Sequence, residues 1–97
     1  MTRVFQYSRT FQKLFDGLPD ERKKLVLKCL EVLKTVPGGK APQHGLMIKR
    51  LYAKGEGFLF EARAGMDIRV VWCQTQDQFR LLLVGNHDEV RKFIKKF

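Results

Sequence analysis

The last forty residues confine this chain to a narrow set of folds. Three apolar runs rich in β-branched residues, at 58–63, 67–73 and 79–84, follow one another there, with Ala64-Gly65-Met66 and Thr75-Gln76-Asp77-Gln78 in the gaps between them. A further period-two stretch, 47–52, precedes them across Lys54-Gly55-Glu56-Gly57. Spacers of this length make hairpins, whereas parallel neighbours need a crossover of a dozen residues or more. The second half of the chain is therefore expected to be an antiparallel meander. Within its middle strand Ile68, Val70 and Trp72 point one way and Asp67, Arg69, Val71 and Cys73 the other; Glu61 and Arg63 share a face opposite Phe60 and Ala62.

The first half reads differently. Val4-Phe5-Gln6-Tyr7 alternates well enough for a short strand, and Ser8 is suited to cap a helix carrying Phe11, Leu14 and Phe15 on one side. Asp16-Gly17-Leu18-Pro19 interrupts that helix. From Asp20 a longer one is expected, with Leu25, Val26, Cys29, Leu30, Leu33 and Val36 in a single stripe, and Pro37-Gly38-Gly39 stops it. This αα-hairpin needs a sheet to cover its apolar side. At the other end Asn86 and Glu89 match a capping box, and Val90, Phe93, Ile94 and Phe97 repeat at i, i+3, i+4 and i+7. The expected fold class is α+β: two N-terminal helices packed on a twisted, mainly antiparallel four- to five-stranded sheet, with a short C-terminal helix.

With 97 residues the chain makes one domain, spanning 1–97, with room for a single core. Nineteen Lys and Arg against ten Asp and Glu give a formal charge of +9, which points to nucleic acid, an anionic surface or an acidic protein partner. The excess runs from Arg3 to Lys96 and is densest around Arg22-Lys23-Lys24-Lys28, so any footprint is a folded face. Cys29 and Cys73 show neither a CxxC spacing nor histidines at ligand distance and read as reduced thiols; no metal site and no cofactor is expected. Without an apolar leader or a run of membrane-spanning length, the chain is expected to be cytoplasmic, with no membrane partner. Walker A, Rossmann and nucleophile-elbow patterns are missing from the sequence.

What remains is a set of side chains suited to phosphoryl chemistry. RNA carries its own nucleophile in the 2′-hydroxyl, so cleavage needs a base, an acid and cations for the phosphorane, with no metal required. His87, at the end of the last strand, is the best candidate acid because imidazole titrates near neutrality. Its simpler role is to cap the following helix. Arg63 and Arg69 suit a phosphate, their forked geometry being one that Lys lacks. Their simpler role is a cross-strand salt bridge with Glu61 or Asp67. For a base, Glu61 is the only nearby carboxylate on the expected face besides Asp67, while Lys49, Arg50, Lys54 and Arg91 would guide RNA by charge. His44 reads as a surface residue.

In their order and spacing, Lys49-Arg50-Leu51, Leu59-Phe60-Glu61-Ala62-Arg63, Ile68-Arg69-Val70-Val71-Trp72 and Leu83-Val84-Gly85-Asn86-His87 resemble the strands of the RelE/ParE superfamily of type II toxins. The resemblance covers most of the chain. It implies an endoribonuclease toxin that cuts mRNA in the ribosomal A site and is neutralised in a hetero-oligomer with a cognate antitoxin. By position it places Arg69 at the family's phosphate-binding arginine, Arg63 at a basic strand position and His87 at the Arg or His that serves transition-state or acid chemistry. Glu61 stands where some members carry a second basic residue, and Arg91 where many carry an aromatic one. The superfamily also includes ParE-like DNA gyrase inhibitors, and a catalytically silent basic module that binds RNA or the ribosome is a further alternative.

Overall fold

A computed structural model describes residues 4–35, 49–54, 57–74 and 78–96. The elements run β1 (Val4–Tyr7), α1 (Arg9–Asp16), α2 (Asp20–Thr35), β2 (Lys49–Lys54), β3 (Gly57–Gly65), β4 (Ile68–Gln74), β5 (Gln78–Gly85) and α3 (His87–Lys96). Their order and types are those the sequence predicts. The sheet has five strands in the order β1-β5-β4-β3-β2. The meander β2 to β5 is antiparallel throughout, and β1 joins β5 in parallel, which makes the sheet mixed.

Local chemistry explains the helix boundaries. The Ser8 hydroxyl accepts from the Phe11 amide at 3.0 Å, the expected cap of α1, and α2 starts where the Pro19 carbonyl accepts the amides of Arg22 and Lys23. Ser8 also ties the first helix to the sheet. Between Val71↔Leu83 and Trp72↔Leu81 the pairing slips by one residue, leaving Leu82 without an opposite partner. The Ser8 amide extends the β1–β5 ladder by donating to the Leu81 carbonyl at 2.9 Å, and the Ser8 hydroxyl donates to the carbonyl of the bulged Leu82 at 3.1 Å, so the β1–α1 junction satisfies that carbonyl.

The sheet is apolar on both faces. Ala62, Ile68, Val70, Trp72, Phe79, Leu81 and Val84 form one face and bury Phe11, Val26, Cys29, Leu30 and Leu33 of the helical hairpin. Four stacked rings cross it, with centroids 5.8 Å apart for Phe60–Trp72, 5.7 Å for Trp72–Phe79 and 5.1 Å for Phe79–Phe5. Leu25, expected in the buried stripe, is instead 42 % exposed. It lies at the stripe's border, where its Cδ1 comes within 3.0 Å of where a Cβ on Gly65 would stand. Val36, the last residue of that expected stripe, lies outside the described residues, as do His44 and Phe97.

On the second face Leu59, Val71 and Leu83 bury Val90, with Phe93 and Ile94 packed alongside. The C-terminal helix thus covers part of the face on which the sequence places Glu61, Arg63 and Arg69. Asp67 is not on that face. It sits with Met66 in the β3–β4 turn and lines a cleft of about 270 Å³ with Lys13 and Arg22, because the strand begins only at Ile68.

Candidate functional site

Strand register sets the site. In the β3–β4 ladder Arg63 faces Arg69 and Glu61 faces Val71; in the neighbouring ladders Arg69 faces Gly85, and Glu61 faces Lys49. Residues directly opposite share a sheet face, so Arg63, Arg69 and Glu61 lie together beside the part covered by α3. Two guanidiniums opposite one another repel, and a carboxylate on the diagonal relieves this. Arg69 Nη1 donates to Glu61 Oε2 at 3.0 Å. The pair is largely withdrawn from water, with side-chain exposures of 14 % for Arg69 and 7 % for Glu61, and Glu61 is the one buried charged residue among those described.

Arg63 is different. Its Nε is buried and has no hydrogen-bond partner among the described residues. An unsatisfied buried N–H costs on the order of 1–3 kcal/mol, so the position invites an acceptor. Of the two salt bridges the sequence offers, that of Arg69 with Glu61 forms, whereas Asp67 stands in the turn, away from the strand face.

His87 opens α3 two residues beyond Gly85, the strand partner of Arg69, and is exposed. The helix start is held by the expected capping box: the Glu89 amide donates to Asn86 Oδ1 at 2.8 Å and the Asn86 amide to Glu89 Oε1 at 3.0 Å. The capping is therefore done by Asn86 and Glu89, which leaves the imidazole unassigned to it. Gly85 lies close beneath this box: a Cβ there would stand 3.0 Å from Glu89 Oε1 and 3.1 Å from Glu89 Cβ, so the Glu89 side chain would have to give way. Asp88 and Glu89 in the first turn suit the positive end of the helix dipole.

The remaining sequence candidates are spread out. Arg91 is exposed one turn after His87, and Lys49, Arg50 and Lys54 belong to the edge strand β2, their side chains lying outside what is described. One cation escaped the sequence reading. Arg80 is exposed and faces Cys73, on the same sheet face as Arg69, and its position between buried Phe79 and Leu81 was the signal that it points outward. No helix among the described residues is long and apolar enough to cross a membrane.

Neither a family model nor a curated relative matches this chain. Solved structures do. RelE in its complex with RelB from Pyrococcus horikoshii superposes with a TM-score of 0.71 at 20 % identity, covering 89 % of this chain and 96 % of that one. The YoeB dimer of Staphylococcus aureus gives 0.67 at 17 % identity, with 90 % and 99 % covered. The DinJ–YafQ toxin–antitoxin complex of E. coli gives 0.65 at 19 %, with 93 % and 98 % covered. The likeness extends over nearly the whole of each chain, so the strand motifs that resemble the RelE/ParE superfamily are carried by the α+β fold of RelE, YafQ and YoeB.

Proposed function

We propose that the protein is the toxin of a type II toxin–antitoxin pair and acts as a metal-independent endoribonuclease on mRNA in the ribosomal A site. The observation that carries this reading is the pairing of Arg63 with Arg69 across β3–β4, one guanidinium anchored by Glu61 and the other with a buried Nε lacking an acceptor. Such an arrangement suits a phosphodiester. The free edges of the two guanidiniums receive its oxygens and stabilise the charge that builds on the phosphorane as the 2′-hydroxyl attacks. His87, exposed yet fixed by the capping box, gives its proton to the departing 5′-oxygen. Glu61 is engaged with Arg69 and serves the site through that contact, while the 2′-hydroxyl proton passes to water. Lys49, Arg50, Lys54 and Arg91 supply long-range attraction for RNA from the β2 edge and from α3.

The partner is an antitoxin, which fits a fold shared with proteins solved as a RelE–RelB complex and as a toxin–antitoxin complex. The cytoplasm is the compartment in which both partners would be met. Induced expression of the wild type and of His87→Ala, followed by growth measurement and primer-extension mapping of cellular mRNA, tests the reading. Growth arrest with discrete cuts inside translated codons, both abolished in the variant, is the expected result. Arrest without cuts would move the target to gyrase, and an absence of arrest would leave a binding module.

A further inference from the structure

We propose that Glu61 is a specificity-determining residue of this site, tuning it to the single charge of an internal phosphodiester and against the double charge of a terminal phosphate. The inference rests on the function proposed above and deepens it. A cluster of guanidiniums alone would hold a phosphomonoester more tightly than a diester, because the monoester carries nearly two negative charges at neutral pH and the attraction scales with charge. An enzyme that must engage the interior of a chain gains nothing from that preference and would be occupied by nucleotides and RNA ends.

The geometry supplies the correction. Glu61 is 5 % exposed, and its carboxylate lies against Arg69 at 3.0 Å, so its charge is little screened by water where a phosphate would dock. It cancels one guanidinium charge and leaves Arg63, with its unpartnered buried Nε, as the excess cation of the pair. Glu89, over Gly85 at the other end of the same row, has Oε1 committed to the Asn86 amide. Of the two guanidinium charges, one is matched by Glu61 and the other by the first charge on the ligand, so a second ligand charge would meet the Glu61 carboxylate. The same contact holds Arg69 by one nitrogen, so the guanidinium presents its remaining edge in a fixed direction.

A matched pair of ligands isolates the effect: uridine 5′-monophosphate and its methyl ester differ at pH 7.5 by one charge and one methyl group. Calorimetric titration of the full chain should show the wild type binding the ester at least as tightly as the dianion. Glu61→Gln keeps an acceptor for Arg69 and removes the charge. It should shift the ratio of the two dissociation constants toward the dianion by roughly tenfold, whereas Glu61→Asp should stay within about twofold of wild type. An unchanged ratio in a folded Glu61→Gln protein overturns the inference, as does a wild type that prefers the dianion by about tenfold or more. The latter comparison decides the matter even if the Gln variant fails to fold. Arg69→Lys separates the two readings: if the wild type binds neither ligand, or if its binding is indifferent to this change, the phosphate site itself fails, and the Glu61 inference with it. Loss of both ligands with Arg69→Lys, together with a ratio unmoved by Glu61→Gln, sinks the Glu61 role alone.

Discussion

Arg69→Ala should be a stability variant before it is a catalytic one. Glu61 and Arg69 are 3.0 Å apart with side chains 7 % and 14 % exposed, so truncating the arginine leaves a carboxylate nearly out of water and without the guanidinium it pairs with. Exposed pairs are worth little, but stripping one member from a buried pair costs several kcal/mol. Residual access of Arg69 to water reduces that figure, and about 2–4 kcal/mol is expected here. A chain of this length has roughly 5–15 kcal/mol in total, and each kcal/mol corresponds to about 4–8 °C in Tm. The variant should therefore melt roughly 10–25 °C below wild type, as followed by circular dichroism with urea unfolding as a cross-check. Glu61→Gln in the same chain should restore at least half of the loss, because a neutral amide is far cheaper to bury than a carboxylate. Melting of Arg69→Ala within about 2 °C of wild type, or a double variant no better than the single one, would refute the argument. A lost activity in Arg69→Ala therefore says little about phosphate binding unless folding is measured beside it.

His87→Ala should lower the rate of RNA cleavage by roughly 10²–10⁴ while leaving the melting curve in place, since the imidazole is exposed and takes no part in the capping box; single-turnover kinetics on a codon-containing substrate would check this. Cleavage of a free codon-containing RNA, without ribosomes, should be as fast in excess EDTA as in magnesium, and a loss confined to EDTA would contradict the metal-independent chemistry. Asn86→Ala removes the acceptor for the Glu89 amide and should cost about 1 kcal/mol. Gly85→Ala forces its Cβ against Glu89 and should cost a comparable amount, with both variants read by hydrogen exchange over α3. Burial pushes the Cys29 thiol from 9.0 up to about 12. The folded state therefore keeps its proton where the unfolded chain loses it, so this thiol's contribution is fully present below pH 9 and declines between pH 9 and 12. Wild type should lose up to about 1.4 kcal/mol per pH unit more than Cys29→Ala across that window. Its alkylation by iodoacetamide at pH 8 should wait for denaturation.

Much of the architecture was legible because it rests on short-range rules. The two-residue period of β3 and β4 sorted their side chains onto two faces, with Arg63 and Arg69 on the side opposite Ala62 and Val70, but it did not show that α3 buries part of the second face as well. Ser8 and the Asn86/Glu89 box announced two helix starts through hydrogen bonds spanning three residues. The errors fall where pairing and packing between elements decide. Alternation alone puts Asp67 in the strand, yet the hairpin register takes Met66 and Asp67 into the turn, since Gly65 pairs with Ile68. Leu25 fitted the helical stripe but is left at its border, because the sheet beneath α2 covers only the arc centred on Val26, Cys29, Leu30 and Leu33.

The sequence by itself determined which segments are helix and strand, the antiparallel order of the meander and the grouping of Glu61, Arg63 and Arg69 on one face, because each follows from periodicity, capping and loop length within a few residues. Only the tertiary structure decided that β1 pairs with β5 in parallel, that Ser8 satisfies the bulge at Leu82, and that α3 covers Leu59, Val71 and Leu83. It also decided the environment of the site: Glu61 nearly buried on Arg69, Arg63 with a buried Nε that has no partner among the described residues, and His87 outside the capping box. Side-chain direction is a local property of a strand, whereas burial and pairing depend on which other segments arrive to exclude water.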